Sequence, residues 1–441
     1  MFSNKDLKGL IVPLFMEQLL VMLVGVADTF VVSYAGEAAV SGVSLVNAFN
    51  TIFIYLFTAL ASGGAVVISQ YIGRKEQDTA GRASSQLLMV STVFSLVMAL
   101  AVLVGNESLM SLMFGQVEKD VMEACVTYLR ISAYSYPAIA VYNSGAAVYR
   151  SLGKTSTTMY LSVVSNVINV VGNLIGVFIL KAGVAGVAYP SLIARAVSAV
   201  VITYLCFSAG NPVRYSWGHI FRWDGGLLGK ILRIAVPNGM ESGVFQLVKV
   251  ALSSVAALFG TYQIAANGVA QSIWGMAALV GVTMGPVFIT VIGQCMGAGD
   301  VEGAEFYFRK LTKISVAGAA LWNGLILAVT PVLMKFYALD PEVKRLIILL
   351  VVIHNVFNSV AHPFSDPLGK GLRAAGDIGF STFVSLFTTL GVRLVFSLIL
   401  GIGLGMGVVG IALAMCLDWI IRGFIFWRRF QKGAWKRFRV I

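Results

Sequence analysis

Charge is what this chain has least of. Only 12% of its 441 residues are Asp, Glu, Lys or Arg, about half the share of a soluble globular domain. With 58% hydrophobic residues and a mean hydropathy of +0.85, a water-soluble fold is excluded and a bilayer is the expected solvent. Histidine is almost as scarce. His219, His354 and His362 are the full set, with no HExxH pair and no carboxylate cluster in a loop, so no catalytic constellation stands out and an integral-membrane enzyme is the poorest reading. Cys125, Cys206, Cys295 and Cys416 are dispersed without CxxC spacing, which argues against disulfides and zinc and leaves them as small packing residues. No cofactor is expected. The opening MFSNKDLKGL runs into the first apolar stretch without a small-residue cleavage site, so no removable signal peptide is expected.

What the chain has is apolar runs. A spanning helix needs about 20 mostly apolar residues, and twelve such runs can be read, the first over 10–33 and the last over 406–428. They divide six and six around the polar connector Ala209–Lys230. The domains read from this pattern are an N-terminal lobe 1–208, a cytoplasmic connector 209–230 and a C-terminal lobe 231–441 with a basic tail.

The two halves repeat each other at a spacing of 224 residues without a gap. Pro13, Met16 and Glu17 recur as Pro237, Met240 and Glu241; Gly36 recurs as Gly260; Ile68, Gln70 and Gly73 recur as Ile292, Gln294 and Gly297; Gly183 and Gly186 recur as Gly407 and Gly410. Arg150/Arg373 and Gly153/Gly376 slip by one residue. Such self-similarity reads as duplication of a whole folding unit, and an even number of spans per unit makes the halves parallel copies.

A net charge of +12 does not point to nucleic acid, because the basic residues lie between apolar runs and form no stripe; membrane lipid is the expected partner. Their distribution orients the chain. Of 32 Lys and Arg, five fall in the loops of one side (Lys119, Lys181, Lys335, Lys344, Arg345) and five in or at the edges of spans (Arg130, Arg195, Lys249, Arg393, Arg422). The remainder flank the other side, which places both termini in the cytoplasm of a cell membrane, expected to be bacterial. The tail WRRFQKGAWKRFRVI interleaves aromatics with cations and reads as an interfacial anchor on anionic lipid.

Acidic residues within spans are the strongest functional pointers, since a carboxylate at a helix centre costs about 3 kcal/mol and needs a partner, a cation or a proton. They are Glu17, Asp28, Glu241, Asp366 and Asp418. Asp28 lies about 27 Å along the first helix, with no basic residue in its own run. The fifth span carries Asn166, Asn169 and Asn173 at helical spacing, hence on one face. A carboxylate with carboxamide oxygens suits a small hard cation such as Na⁺, with Asp28, Asn169 and Asn173 as the ligand set; the same carboxylate can instead take a proton. Glu241 either faces a substrate or shares a structural role with its twin Glu17. Lys249 follows eight residues later, too far for a direct pair. The tenth span holds His354, Asn355, Asn358, His362 and Asp366 and is broken by Pro363 and Pro367, so it is expected to bend or line a cavity. Asp418 and Arg422, at i, i+4, are expected to pair within their helix.

The PxxxE openings, the ADTFVV around Asp28, the paired SQYIGRK and GQCMGAGD loops and the YRSLGKT and LRAAGD turns make the chain resemble the multidrug and toxic compound extrusion (MATE) transporters over nearly its whole length. The resemblance implies an all-α integral membrane fold, twelve transmembrane helices in two parallel six-helix lobes forming a V. It also implies a secondary antiporter that exports lipophilic, often cationic drugs or metabolites in exchange for Na⁺ or H⁺, one chain sufficing. Asp28 and Asn169 match the family's coupling-cation site; where many members carry a second Asp, this chain has Asn173. Glu241 lies near the acidic position of the seventh helix, and that of the tenth falls on His362 with Asp366 nearby. Glu241, His362, Asp366 and Lys249 are therefore the candidates for substrate or second-lobe coupling. A lipid-linked saccharide flippase is similar in fold and usually has a cationic cavity; Lys249, Arg195 and Arg393 keep that alternative open.

Overall fold

The computed structural model describes residues 2–115, 117–337 and 339–441. Among them every long element is a helix, and the chain runs through twelve helical segments. The first six are α1 (Asn4–Ser33), α2 (Glu37–Gly73), α3 (Gln77–Phe114), α4 (Lys119–Tyr134 continued by Tyr136–Ser151), α5 (Thr155–Ile179) and α6 (Ala185–Phe207). The second six are α7 (Gly225–Ala257), α8 (Thr261–Gly297), α9 (Val301–Phe336), α10 (Pro341–Val360, His362–Ser365 and Pro367–Ala374), α11 (Ile378–Gly403) and α12 (Val408–Gln431). Ten of these are long and apolar enough to cross a membrane; the other two are α7 and α4, whose halves are 16 residues each.

The starts and breaks follow from local chemistry. Ser3 and Asp6 form a capping box at the head of α1, Asp6 N–H donating to Ser3 Oγ at 3.1 Å and Ser3 N–H to Asp6 Oδ2 at 2.7 Å, which satisfies two donors the helix itself cannot. Pro137 stands in the first turn after Ser135 and splits α4 there, because a proline has no N–H to continue the ladder. Pro363 and Pro367 divide α10 in the same way, as the sequence leads one to expect.

The duplication extends to the backbone. Among the described residues all left-handed positions but Gly433 come in pairs 224 residues apart, or 223 for one: Gly36 and Gly260 (φ 106° and 89°), Lys75 and Gly299 (63° and 73°), Gly153 and Gly376 (77° and 101°), Lys181 and Gly405 (49° and 68°), Gly183 and Gly407 (56° and 59°). Two of these sites carry lysine in the first half, so it is the turn that is repeated, not just a taste for glycine. The last turn of α5 widens to a π-helix at Ile175–Ile179, and α11 does the same at Ile399–Gly403. A second widened stretch, Thr388–Leu394, belongs to α11 alone.

The contacts divide the chain into compact units of residues 2–239 and 240–441, a boundary inside α7 and nine residues beyond the end of the connector inferred from polarity. The reason is packing. A Cβ on Gly63 of α2 would lie 2.8 Å from the Ala235 side chain, so the first turns of α7 are seated against α2, and Lys230 Nζ donates to Tyr71 Oη at 2.8 Å. Connector residues 209–230 are likewise built into the first unit. Each unit has its own apolar core, around Val46, Cys125, Leu129 and Ala133 in the first and around Ala270, Ala277, Ile347 and Leu350 in the second. Many large side chains, such as Val104, Leu112 and Leu321, point outward, as hydrocarbon-facing helices require.

The tail departs from a simple lipid anchor. Trp435 is fully buried against Phe308 and Phe430, Arg429 pairs with Asp377 at 2.8 Å and Lys436 with Glu305 at 2.5 Å. Its aromatics close the second unit's core, leaving Lys432, Arg437 and Arg439 exposed.

Candidate functional site

In the first unit α1 packs chiefly on α5, and α5 on α6. Gly176 and Gly186 let α5 and α6 meet backbone to backbone: a Cβ on Gly176 would fall 2.1 Å from the Gly186 carbonyl oxygen. That approach brings the polar faces of three helices together. Asn173, fully buried, donates from Nδ2 to Asp28 Oδ1 at 2.7 Å and to Asn169 Oδ1 at 3.1 Å. Asn169 passes the chain on, its Nδ2 donating to Ser191 Oγ at 2.8 Å. The carboxylate is half-buried and held by the amide of Asn173, within reach of the asparagine face. Asn166 lies on the same helix face but is not bonded to Asp28, and its Nδ2 is buried without a partner.

One member of this site was not assigned to it from the sequence. Arg195 of α6 acts electrostatically on Asp28, and its Nη1 donates to Ser135 Oγ at 2.7 Å, at the break in α4. Tyr136 Oη, beside that break, donates to Asn50 Oδ1 at 2.6 Å. The signal available was that Arg195 is one of very few cations inside a span, yet pairing it with Asp28 needs the contact between non-adjacent helices. The set can hold one cation or proton. Asn173 Oδ1 is a buried acceptor without a partner, so an amide turned about its own axis presents an oxygen beside Asp28, while a proton needs no such turn. Among the described residues no group of three or more His, Cys, Asp or Glu is placed to hold a metal ion.

The candidates of the second unit are dispersed to separate partners. Glu241 pairs with Arg373 at the end of α10, and its twin Glu17 pairs with Arg150 at the end of α4, 2.7 Å away, while accepting from Thr158 Oγ1 at 2.8 Å. Of the two roles considered for Glu241, this geometry supports the shared structural one. Asp366 is engaged by Lys370 at 2.8 Å, one turn on. His362 packs edge-on to Trp419, ring centroids 5.4 Å apart, and against Gly281. Lys249 is exposed and feels the charge of Arg393. The physical reason these four do not form one site is that each carboxylate already has a counter-charge, Glu241 in Arg373 of another helix and Asp366 in Lys370 one turn along its own. Asp418 and Arg422 do pair, at 2.8 Å and 3.1 Å, and Arg393 joins them at 3.0 Å from Asp418.

Two like six-helix halves, mostly of membrane-crossing length, with a carboxylate and amides between helices of the first, define an integral-membrane helical protein made by duplication. The sequence profile of the MatE family matches residues 13–175 and again 237–399, segments with the same 224-residue offset as the repeat, and the chain belongs to that family. It is 25% identical over 427 residues to the uncharacterized transporter YisQ of Bacillus subtilis (96% of this chain, 93% of that one). It is 22% identical over 449 residues to the probable multidrug resistance protein NorM of Thermotoga maritima (99% and 94%). Its fold matches, with a TM-score of 0.90 at 22% identity, an outward-facing multidrug resistance MATE family transporter of the MOP superfamily, covering 98% of this chain and 96% of that one. The fold is thus the twelve-helix, two-lobe one.

Proposed function

We propose that this protein is a secondary active efflux antiporter of small-molecule drugs or metabolites, driven by one cation, Na⁺ or H⁺, that binds and leaves at Asp28. Membership of the MatE family and relatives named as multidrug resistance proteins support the export reading. The observation that carries the coupling is the bond from Asn173 Nδ2 to Asp28 Oδ1: an ionisable group inside a spanning helix is tied to a neighbouring helix, so its occupancy by a cation changes what holds α1 to α5. Alternating exposure of the two membrane sides follows when that tie differs between the loaded and empty states. Inward movement of one charge down 100 mV supplies about 2.3 kcal/mol, enough for about fiftyfold accumulation of a neutral solute. One chain holds both halves and acts as a monomer in the cell membrane, with its termini in the cytoplasm.

The test is dye export from proteoliposomes with Na⁺ and pH gradients imposed separately. Asp28→Asn is expected to abolish gradient-driven export and to leave gradient-free dye binding in place. Unchanged export by the variant sinks Asp28 as the coupling site, and absence of export under either gradient favours the flippase alternative.

A further inference from the structure

The second unit is not an electrostatic copy of the first. At the position of Asn169 in the repeat stands Arg393, and at that of Asp28 stands Leu252. Arg393 sits in the widened stretch Thr388–Leu394 that the first unit lacks. Such stretches re-aim side chains and recur at functional sites. Around it gather Phe245 and Lys249 of α7, one turn apart and so on one face, His354 of α10, and Asp418 and Arg422 of α12. The Arg393 guanidinium lies over the Phe245 ring, 4.8 Å from its centre.

The charges of this group do not balance. Asp418, fully buried, is the carboxylate that pairs with both Arg393 and Arg422, and Lys249, close enough to feel the Arg393 charge, adds a third cation. Arg422 is well provided for: besides Asp418 it donates to Thr388 Oγ1 and Thr389 Oγ1, each at 2.8 Å. Arg393 has Asp418 and a ring face for a group with five N–H donors, and among the described residues Lys249 has no acceptor. Lys249 is eight residues from the end of α7, about 12 Å along the helix, so it sits well inside a segment where a cation is costly. Neither ring nitrogen of the fully buried His354 has a partner among the described residues. Donors and positive charge are in surplus on Arg393 and Lys249, and the side chains flanking Lys249, Leu247 and Val250, are apolar and exposed.

We propose that Arg393 and Lys249 form an anion-recognition site in the second unit, taking the carboxylate or phosphate head of an amphipathic molecule whose apolar body lies along α7. Arg393 supplies a planar fork and Phe245 fixes its plane; Lys249 supplies a point charge. The site deepens the transporter reading, on which it rests for the fate of the ligand, by making anionic amphiphiles a substrate class. Binding itself does not involve Asp28.

Two xanthene dyes of opposite charge test it: fluorescein, with its carboxylate, and the cationic ester rhodamine 6G. Fluorescence anisotropy is read at equilibrium, without gradients, on the full chain in phosphatidylcholine nanodiscs. Fluorescein is expected to bind at least tenfold tighter than rhodamine 6G. Lys249→Gln, at an exposed position that folding tolerates, is expected to weaken fluorescein about tenfold, which is about 1.4 kcal/mol, and to leave rhodamine 6G unchanged; Arg393→Lys, which keeps the charge and loses the fork, weakens it as well. Equal binding of the two dyes, or fluorescein binding that ignores Lys249→Gln, overturns the proposal. Repeating the titration with phosphatidylglycerol in the nanodisc identifies the source of the anion: loss of dye marks a lipid headgroup as occupant, retention marks a soluble anion. Asp28→Asn separates the two proposals, since fluorescein binding that survives while export is lost supports both, and export that survives sinks the coupling site alone.

Discussion

Glu17 and Arg150 show how a single residue is fixed by what surrounds it. Glu17 is 3% exposed, its two carboxylate oxygens taken by Arg150 and by Thr158, so the pair ties α1 to the end of α4 and the start of α5. Removing one charge of a buried pair leaves the other without its counter-charge, which costs about 3 kcal/mol at the low end of the usual range. Glu17→Gln is therefore expected to lower the melting temperature of the purified protein by several degrees, and Glu241→Gln to do the same through Arg373. The measurement is a thermal melt alongside dye binding. If Glu241→Gln instead shifts dye affinity while the melt stays put, Glu241 touches substrate and the twin-tether account fails for the second unit.

At the scale of elements the connector is more than a link. Gln86 of α3 donates from Nε2 to the carbonyl oxygens of His219 at 2.5 Å and Arg222 at 2.8 Å, and accepts from Asp224 N–H at 3.0 Å. Asp224 itself accepts from Leu227 N–H at the head of α7 and pairs with Arg82 at 2.8 Å. The Leu227 N–H, then the Arg82 guanidinium, hold its carboxyl below the usual range. A carboxyl depressed in the folded state favours folding above its unfolded value near 3.8, and that contribution fades as pH falls through the folded value. Protection of the backbone amides across 209–230, read as exchange relative to the intrinsic rate at the same pH, is expected to be high at neutral pH and to fall as pH drops below the free-carboxyl value of 3.8, and Asp224→Asn to lower it at neutral pH; protection indifferent to both would remove Asp224 as the clamp. The same contrast marks what was legible in the sequence. The helices, the broken tenth span, the 224-residue repeat and the Asp28 and asparagine face rest on hydropathy and spacing within single segments, which a sequence displays. The Gln86 clamp, the Arg195 to Ser135 bond and the approach of Arg393 to the Asp418–Arg422 pair join segments that are separate in the chain. No periodicity encodes which polar side chain of one helix meets which of another.

For the whole molecule, duplication makes a claim about sidedness that chemical labelling checks. Six helices per half return the chain to its starting face, so positions 224 residues apart belong on the same side of the membrane, whereas an inverted repeat would put them on opposite sides. Arg74 and Ala298 are exposed at the turns after α2 and α8, and Glu118 and Glu342 are exposed at the heads of α4 and α10. All four native cysteines are buried, which gives a quiet background for labelling. With the basic loops in the cytoplasm, an impermeant maleimide added to intact cells should reach cysteine placed at Glu118 or Glu342 and should reach cysteine at Arg74 or Ala298 only after the membrane is opened. A reversed but still paired result would leave the duplication standing and turn the molecule over, placing its termini outside. Labelling that splits either pair would show that the halves are not parallel, and the equivalence of Glu17 with Glu241, and of Asn169 with Arg393, would then lose its structural meaning.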